Sequence, residues 1–366
     1  MRGKPKEHAR PETGFVWLRL LGALLVVFDH STVLASTTDP TIFPGEWNIP
    51  LAHIAVVTFF AMSGYQVSGS WARDPSWWRF SFRRILRIFP PYVFVLMVCA
   101  FVIGPLFTTV SSGDYWRNTR VFCYVVCNTA MFPMQHDLPG VFTGNPYPWA
   151  VNGSIWTLPM ELLAYGLVVL VGLVLVLVRT KLVLIPVFAG IVGLDIYYGA
   201  SAFDPGRPGS IVNVPIGTTV NLLVPFVIGM ILFSYRDRIP LSPWFAWLLF
   251  GVLIAVHWTP ADRYVFPVAM AYGVITLAHH MPKWLEHGKK WAYGSYGAYL
   301  WGFVVQQMVV AVFGVSDKWT LIAIAVPLSW FAGLLSWLYI EKPTQELRAF
   351  IRKPERVVVD AAGNTR

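Results

Sequence analysis

Three groups of polar residues interrupt a largely apolar chain, and each has a type and spacing that could do chemistry. The first lies in the stretch 15–35, with Arg19 near its start and Asp29 and His30 near its end. On a helix, eleven steps of about 100° leave Arg19 and His30 about 20° apart on one face, roughly 16 Å apart along the axis. A charge deep in a bilayer costs roughly 2.5–3.5 kcal/mol on insertion scales, so such residues face a cavity or a partner. An imidazole there can act as general base toward a hydroxyl arriving at the far surface. The plainer alternative is a packing histidine bonded to nearby backbone. Asp29 points about 100° away from His30 and is expected to meet another helix.

The second group is Arg83, Arg84 and Arg87, followed by Pro90 and Pro91. Spacings of three and four set Arg87 beside both earlier arginines on a helical face. Guanidinium forks match phosphates, so a phosphorylated donor such as acyl-CoA is one expectation. A positively charged membrane anchor is the other, and Arg73 and Arg79 fit it better. The two prolines are expected to bend or restart the helix as it enters the bilayer.

Glu161 is the third. It follows Asn152-Gly153-Ser154-Ile155-Trp156-Thr157-Leu158-Pro159, where Thr157 suits an N-cap and Pro159 a first turn. The helix dipole alone would favour a carboxylate there. The functional reading puts Glu161 at the outer mouth, level with His30, to orient the imidazole, assist proton transfer or bind a sugar hydroxyl. Asn152-Gly153-Ser154 also fits a glycosylation sequon.

Other motifs read as structural. Phe59-Phe60-Ala61-Met62-Ser63-Gly64-Tyr65 and Gly294-Ser295-Tyr296-Gly297 offer small residues for close helix packing. Glu341-Lys342-Pro343 closes the last span. His279, His280 and His287 read as a solvated basic turn. Zinc spacing, Walker loops, dinucleotide fingerprints and nucleophile elbows are missing from the sequence, so no metal site is expected.

The elements that must position these residues follow from composition. The 366 residues are 56% hydrophobic and 13% charged, with a mean hydropathy of +0.56. Soluble domains have roughly 25% charged residues, so the fold class is all-α: a polytopic membrane protein of about ten transmembrane helices. The spans are expected at 15–35, 51–70, 88–108, 160–178, 182–199, 216–234, 241–257, 264–280, 291–313 and 319–340. Abundant Trp and Tyr suit interfacial belts.

A net charge of +9 could suggest nucleic acid. Its distribution argues otherwise. With the N-terminus inside, inward segments hold 22 Lys and Arg and outward loops five, the positive-inside pattern. Both termini are then cytoplasmic and the first span is an uncleaved anchor. The domain plan is a tail 1–14, a membrane domain 15–345 and a tail 346–366. The long outward segment 109–159 is aromatic and then rich in Pro, Gly and Asn; it reads as a lid or a partly re-entrant piece. Cys123 and Cys127, four apart within it, could pair, but ordinary apolar thiols are the expectation. No internal repeat supports an inverted-repeat transporter.

In this order, these residues resemble the membrane-bound acyltransferase type 3 family over about 12–350. The resemblance is carried by Arg19 with His30, the Phe59–Tyr65 stretch and Arg84-x-x-Arg87. Trp156-x-Leu158-x-x-Glu161, Ser295-Tyr296-x-x-Tyr299-Leu300 and Glu341-Lys342-Pro343 complete it. It implies transfer of an acyl group, often acetyl, from cytoplasmic acyl-CoA to a hydroxyl of a cell-surface glycan or lipid-linked sugar. It also implies an inner-membrane location. His30 would be the catalytic histidine with Arg19 its motif partner and Glu161 assisting. Arg84 and Arg87 would handle the donor, with Arg83 beside them. Acyl-CoA is then a substrate, and no permanently bound cofactor is expected. Expected partners are the bilayer, the glycan acceptor and glycan-assembly proteins, not nucleic acid. Gly302 departs from the pattern, since many members have a histidine there. That makes the ninth span an unpromising source of catalytic groups. A transporter or flippase using the same polar residues, a scaffold in glycan assembly, and acylation of a macrolide-type small molecule are the alternatives.

Overall fold

The computed structural model describes residues 11–35, 50–131, 133–198, 210–211 and 214–351. The tail residues 1–10 and 352–366 lie outside the described residues, so only the inner ends of the two expected tails are seen. There, helix already begins at Pro11, and a helical turn continues to Ile351.

Helices stand at all ten expected places. They are α1 (Pro11–Leu34), α2 (Leu51–Arg73), α3 (Trp77–Val98), then α4 (Thr119–Thr129) in the long loop and α5 (Leu158–Val178). There follow α6 (Leu184–Tyr198), α7 (Ile216–Ser234), α8 (Pro243–Val256), α9 (Asp262–His279), α10 (Ser295–Phe313) and α11 (Lys318–Ser336). Among the described residues, eight spans are long and apolar enough to cross a membrane; of the ten helices, α8, with 14 residues, and the more polar α9 are the two that are not. The only strands among the described residues form a two-residue ladder between Ser210–Ile211 and Val214–Pro215. This is an all-α polytopic membrane protein.

Lipid supplies little hydrophobic drive between helices, so small residues that admit close approach decide which helices meet. Gly64 of α2 lies against the Phe226 carbonyl of α7, where an added Cβ would stand 1.9 Å from the oxygen. Gly229 of α7 meets the Ala61 carbonyl at 2.2 Å in the same sense. Gly294, Gly297 and Gly333 bring α10 and α11 together in the same way. α1 packs against α2, α9, α10 and α11, so the helix with Arg19 and His30 is central.

Several local expectations change. α3 runs through Pro90 and Pro91 without restarting, and starts eleven residues earlier than hydropathy placed the span. The irregularity comes later, as a π-helical turn at Cys99–Ile103. Cys123 and Cys127 form a disulfide rather than two thiols. Both lie on one face of α4 with their Cα atoms 4.9 Å apart, within the range a bridge spans. His279 and His280 are half-buried, not solvated, with Nδ1 of each facing a carbonyl one turn back, of Ile275 and Thr276.

The segment before α5 matters most for the site. It descends into the bundle along α10. Asn145 donates to the Gln307 side chain at 2.7 Å, and Gln307 Nε2 donates to the carbonyls of Tyr147 and Ala150. Asn152 donates to the Leu300 carbonyl, and the Tyr299 hydroxyl meets the Ser154 carbonyl and Thr157 Oγ1. From Gln307 to Tyr299 is about 12 Å along the helix axis. Irregular backbone is tolerated at such depth only inside protein, and Asn152, Ser154 and Ile155 are buried. The fully buried Asn152 is therefore no glycan acceptor in this conformation.

Candidate active site

α1 carries Arg19 and His30 into different surroundings. Arg19 extends Nη2 to Ser63 Oγ of α2 at 3.4 Å. It lines a cavity of about 80 Å³ with Arg87 of α3, Glu161 of α5, Phe59 of α2 and Tyr296 and Tyr299 of α10. By the same measure a water needs about 10–15 Å³, so this space has room for a group of several heavy atoms. Phe59, Ser63, Ser295, Tyr296 and Tyr299 belong to motifs that read as packing alone; they also form the cavity wall.

Glu161 stands with the arginines, not at the outer mouth. The reason is the descending segment: because 145–157 goes down along α10, α5 begins deep in the bundle. Thr157 does not cap α5 with its side chain, since its hydroxyl is engaged with Tyr299. The Tyr165 hydroxyl donates to the Glu161 carboxylate one turn back. Arg84 packs its guanidinium over the rings of Tyr165 and Phe80, 5.7 Å from each centroid. Glu161, Tyr165 and Arg84 thus form a chain beside the cavity.

The three arginines of α3 part company. Arg87 enters the cavity and Arg84 is buried against the aromatic rings. Arg83 donates to Asp74 at 2.7 Å, and the same carboxylate takes Arg79 at 2.5 Å. Arg83 is therefore tied to the loop after α2 rather than to the cavity. Asp74 lies outside the spans, and the Arg79 hydrogen bond, with Arg83 next, holds its carboxyl well below the usual carboxylate range. Glu341, buried at the end of a π-helical turn, accepts from Ser336 Oγ at 3.2 Å and faces the charge of Arg87.

His30 is not in that cavity. Its ring meets Phe303 edge-on, with centroids 5.4 Å apart, and Nδ1 is buried without a hydrogen-bond partner among the described residues. Asp29 does not orient it. Asp29 accepts the Leu51 backbone N–H at 3.0 Å and so caps α2. Glu161 is also absent from its surroundings. Between Arg19 and His30 the shared face carries Ala23 and Val26, packed in one core cluster with Ile155, Tyr299 and Leu300. Gly302 is where α10 touches α1, since a Cβ there would stand 2.5 Å from Val27 Cγ2. One turn on, Gln306 donates to the Val27 carbonyl and to Ser31 Oγ, both at 2.7 Å. Sequence reasoning passed over Gln306, Gln307 and Tyr165; two buried amides in an apolar span were the available signal.

A guanidinium-lined cavity at one level and an imidazole with an unpartnered Nδ1 about 16 Å along the same helix can neutralise an anionic donor and deprotonate a hydroxyl, respectively. A family model described as an acyltransferase domain matches residues 13–341. The chain belongs to the acyltransferase 3 family. It is 26% identical to an O-acetyl transferase of Shigella phage Sf6 over 88% of this chain and 93% of that one. It is also 26% identical to nodulation protein 10 of Rhizobium leguminosarum bv. viciae, over 94% and 97%. No solved structure matches the chain. Family membership and apolar spans together make this a membrane acyltransferase.

Proposed function

We propose that the protein is an O-acyltransferase of the inner membrane. It moves an acyl group, acetyl by analogy with the phage relative's name, from cytoplasmic acyl-CoA to a hydroxyl of a cell-surface glycan or lipid-linked sugar. Both termini face the cytoplasm in this reading, supported by the excess of Lys and Arg at the arginine end. The observation that carries it is the pairing on α1: Arg19 in a cavity with Arg87 and Glu161, and His30 with a free Nδ1 toward the other surface.

Arg84 and Arg87 hold the donor phosphates and Arg19 guides the pantetheine arm. An extended chain advances roughly 3.3 Å per residue-length of backbone, so a pantetheine-sized arm spans the interval. The acyl group passes Tyr299 and Thr157 when that contact opens. His30 takes the proton of the acceptor hydroxyl. The hydroxyl oxygen bonds to the acyl carbon, the thioester bond breaks, and CoA leaves as thiol once the thiolate is protonated. Glu161, at the donor end, serves the thioester side rather than the imidazole.

The test uses the full-length protein in nanodiscs with acetyl-CoA and membrane-derived glycolipid. Acceptor-dependent release of CoA and an acetyl mass increment on the acceptor are expected. Movement of the glycolipid across the bilayer with no CoA release would make the protein a flippase instead.

A further inference from the structure

Beyond α11 the chain continues through the π-helical turn Trp337–Glu341, a short helix Lys342–Glu346 and the turn Leu347–Ile351, which folds back onto α3. This return brings a fourth arginine, Arg348, within electrostatic reach of Arg83, Arg84 and Arg87. Arginines that merely anchor a protein keep their heads in water and headgroups. These do not. Arg348 Nε and Nη2, Arg84 Nε and Arg83 Nη2 are all buried, with no hydrogen-bond partner among the described residues. Buried N–H groups left in this state call for an acceptor. The nearby carboxylates do not supply one: Asp74 is taken by Arg79 and Arg83, and Glu341 by Ser336. Arg348 thus adds a cation with unsatisfied N–H groups within electrostatic reach of the α3 arginines, and the positive region is wider than the pair Arg84 and Arg87 alone.

Arg348 also lines a groove of about 480 Å³ with Trp337, Lys342, Gln345, Glu346 and Ala349. The Trp337 indole stacks one face on Tyr293, with centroids 5.0 Å apart, which leaves its other face to stack on a base, and Gln345 and Glu346 offer polar groups to the base edge. Arg348 and Lys342 add two cations beside it. That set matches a purine nucleoside carrying a phosphomonoester, which bears about −1.5 to −2 charge at neutral pH.

We propose that this groove is the subsite for the 3′-phosphoadenosine end of the donor, with Arg348 reading the 3′-phosphate. The proposal rests on acyl-CoA being the donor. It divides the cluster: Arg84 and Arg87 meet the pyrophosphate, and Arg348 with Lys342 meets the 3′-phosphate.

Full-length protein in nanodiscs is titrated with CoA and with 3′-dephospho-CoA. The wild type is expected to bind CoA about tenfold to hundredfold more tightly, the worth of a charge-assisted contact. Arg348→Met should erase that preference by weakening CoA alone, and Arg348→Lys should restore part of it. If Arg348→Met fails to fold, Trp337→Ala serves instead and should weaken both ligands by the same factor. A wild type that does not distinguish the two ligands overturns the subsite. So does an Arg348→Met protein that loses both equally, or a Trp337→Ala protein that loses neither. A wild type that binds neither ligand instead removes acyl-CoA as the donor, and the proposed function falls with it.

Discussion

Two ends of one helix differ in how complete they are. Around Arg19 every polar group has company: Ser63, Arg87, Glu161 and two tyrosines share one cavity. Around His30 there is an aromatic edge, a neighbouring carboxylate diverted to cap α2, and a buried nitrogen without a partner. The first end is organised in advance, as a site that binds a large anion before reaction should be. The second lacks the orienting group that usually holds a catalytic histidine, so in the proposed mechanism the acceptor itself completes it. On that reading binding is built into one end, and chemistry at the other waits for the second substrate.

The sharpest way to break this comparison is at His30. His30→Ala should lower turnover by about a hundredfold to ten-thousandfold while leaving CoA affinity unchanged in direct titration. Near-normal turnover in a properly inserted variant would remove the imidazole from the mechanism. At the donor end, Arg87→Ala should raise the KM for acetyl-CoA by about tenfold to hundredfold. Arg79→Ala, whose guanidinium is bound to Asp74 outside the cavity, should change it less than about twofold. Equal effects would reduce the cluster to an anchor.

Glu161→Gln tests which end the carboxylate serves. It should lower kcat severalfold and leave the acid limb of the pH–rate profile where it was. A displaced limb would return Glu161 to His30. The smallest effect concerns the descending segment. Burial pushes the His136 imidazole below its ordinary 6.5, outweighing the Asn152 carbonyl and Asp137, which raise it. The neutral form is thus favoured in the fold, and the unfolded chain binds more protons below about pH 6.5. Stability should be full above that pH and decline beneath it. His136→Gln should flatten the decline, seen as thermal midpoints measured between about pH 7.5 and 5. A wild-type midpoint that does not fall over that range would show the loop insensitive to this group.

The sequence made some features legible and hid others for physical reasons. Span positions and the Arg19–His30 face follow from hydropathy and helical periodicity, which local residues dictate. The depth of Glu161 does not. It depends on how far an irregular segment sinks before α5 begins, and no period encodes that; the polar contacts of Asn145, Gln307 and Asn152 do. The division of Arg83 from Arg84 and Arg87 rests on Asp74, nine residues earlier, a pairing that charge counting overlooks. Arg348 was counted only as one of several cytoplasmic cations, because its return to α3 is a tertiary event. The Cys123–Cys127 spacing was readable, but pairing needed the helix that puts both on one face.

The shortness of α8 reaches beyond its own packing. Fourteen residues rise about 21 Å, against a hydrocarbon layer of about 30 Å. α8 lies beside α1, α2 and α9, with Trp244 and Trp247 turned outward at 84% and 73% exposure. Trp258 stands just past its other end, 61% exposed. Such a mismatch is relieved by drawing the headgroups inward, at a cost of fractions of a kcal/mol per Å. A bilayer drawn in this way is thinner along the groove that α8 shares with α1. In the proposed mechanism, a group carried across on that flank would have less than a full bilayer to cross.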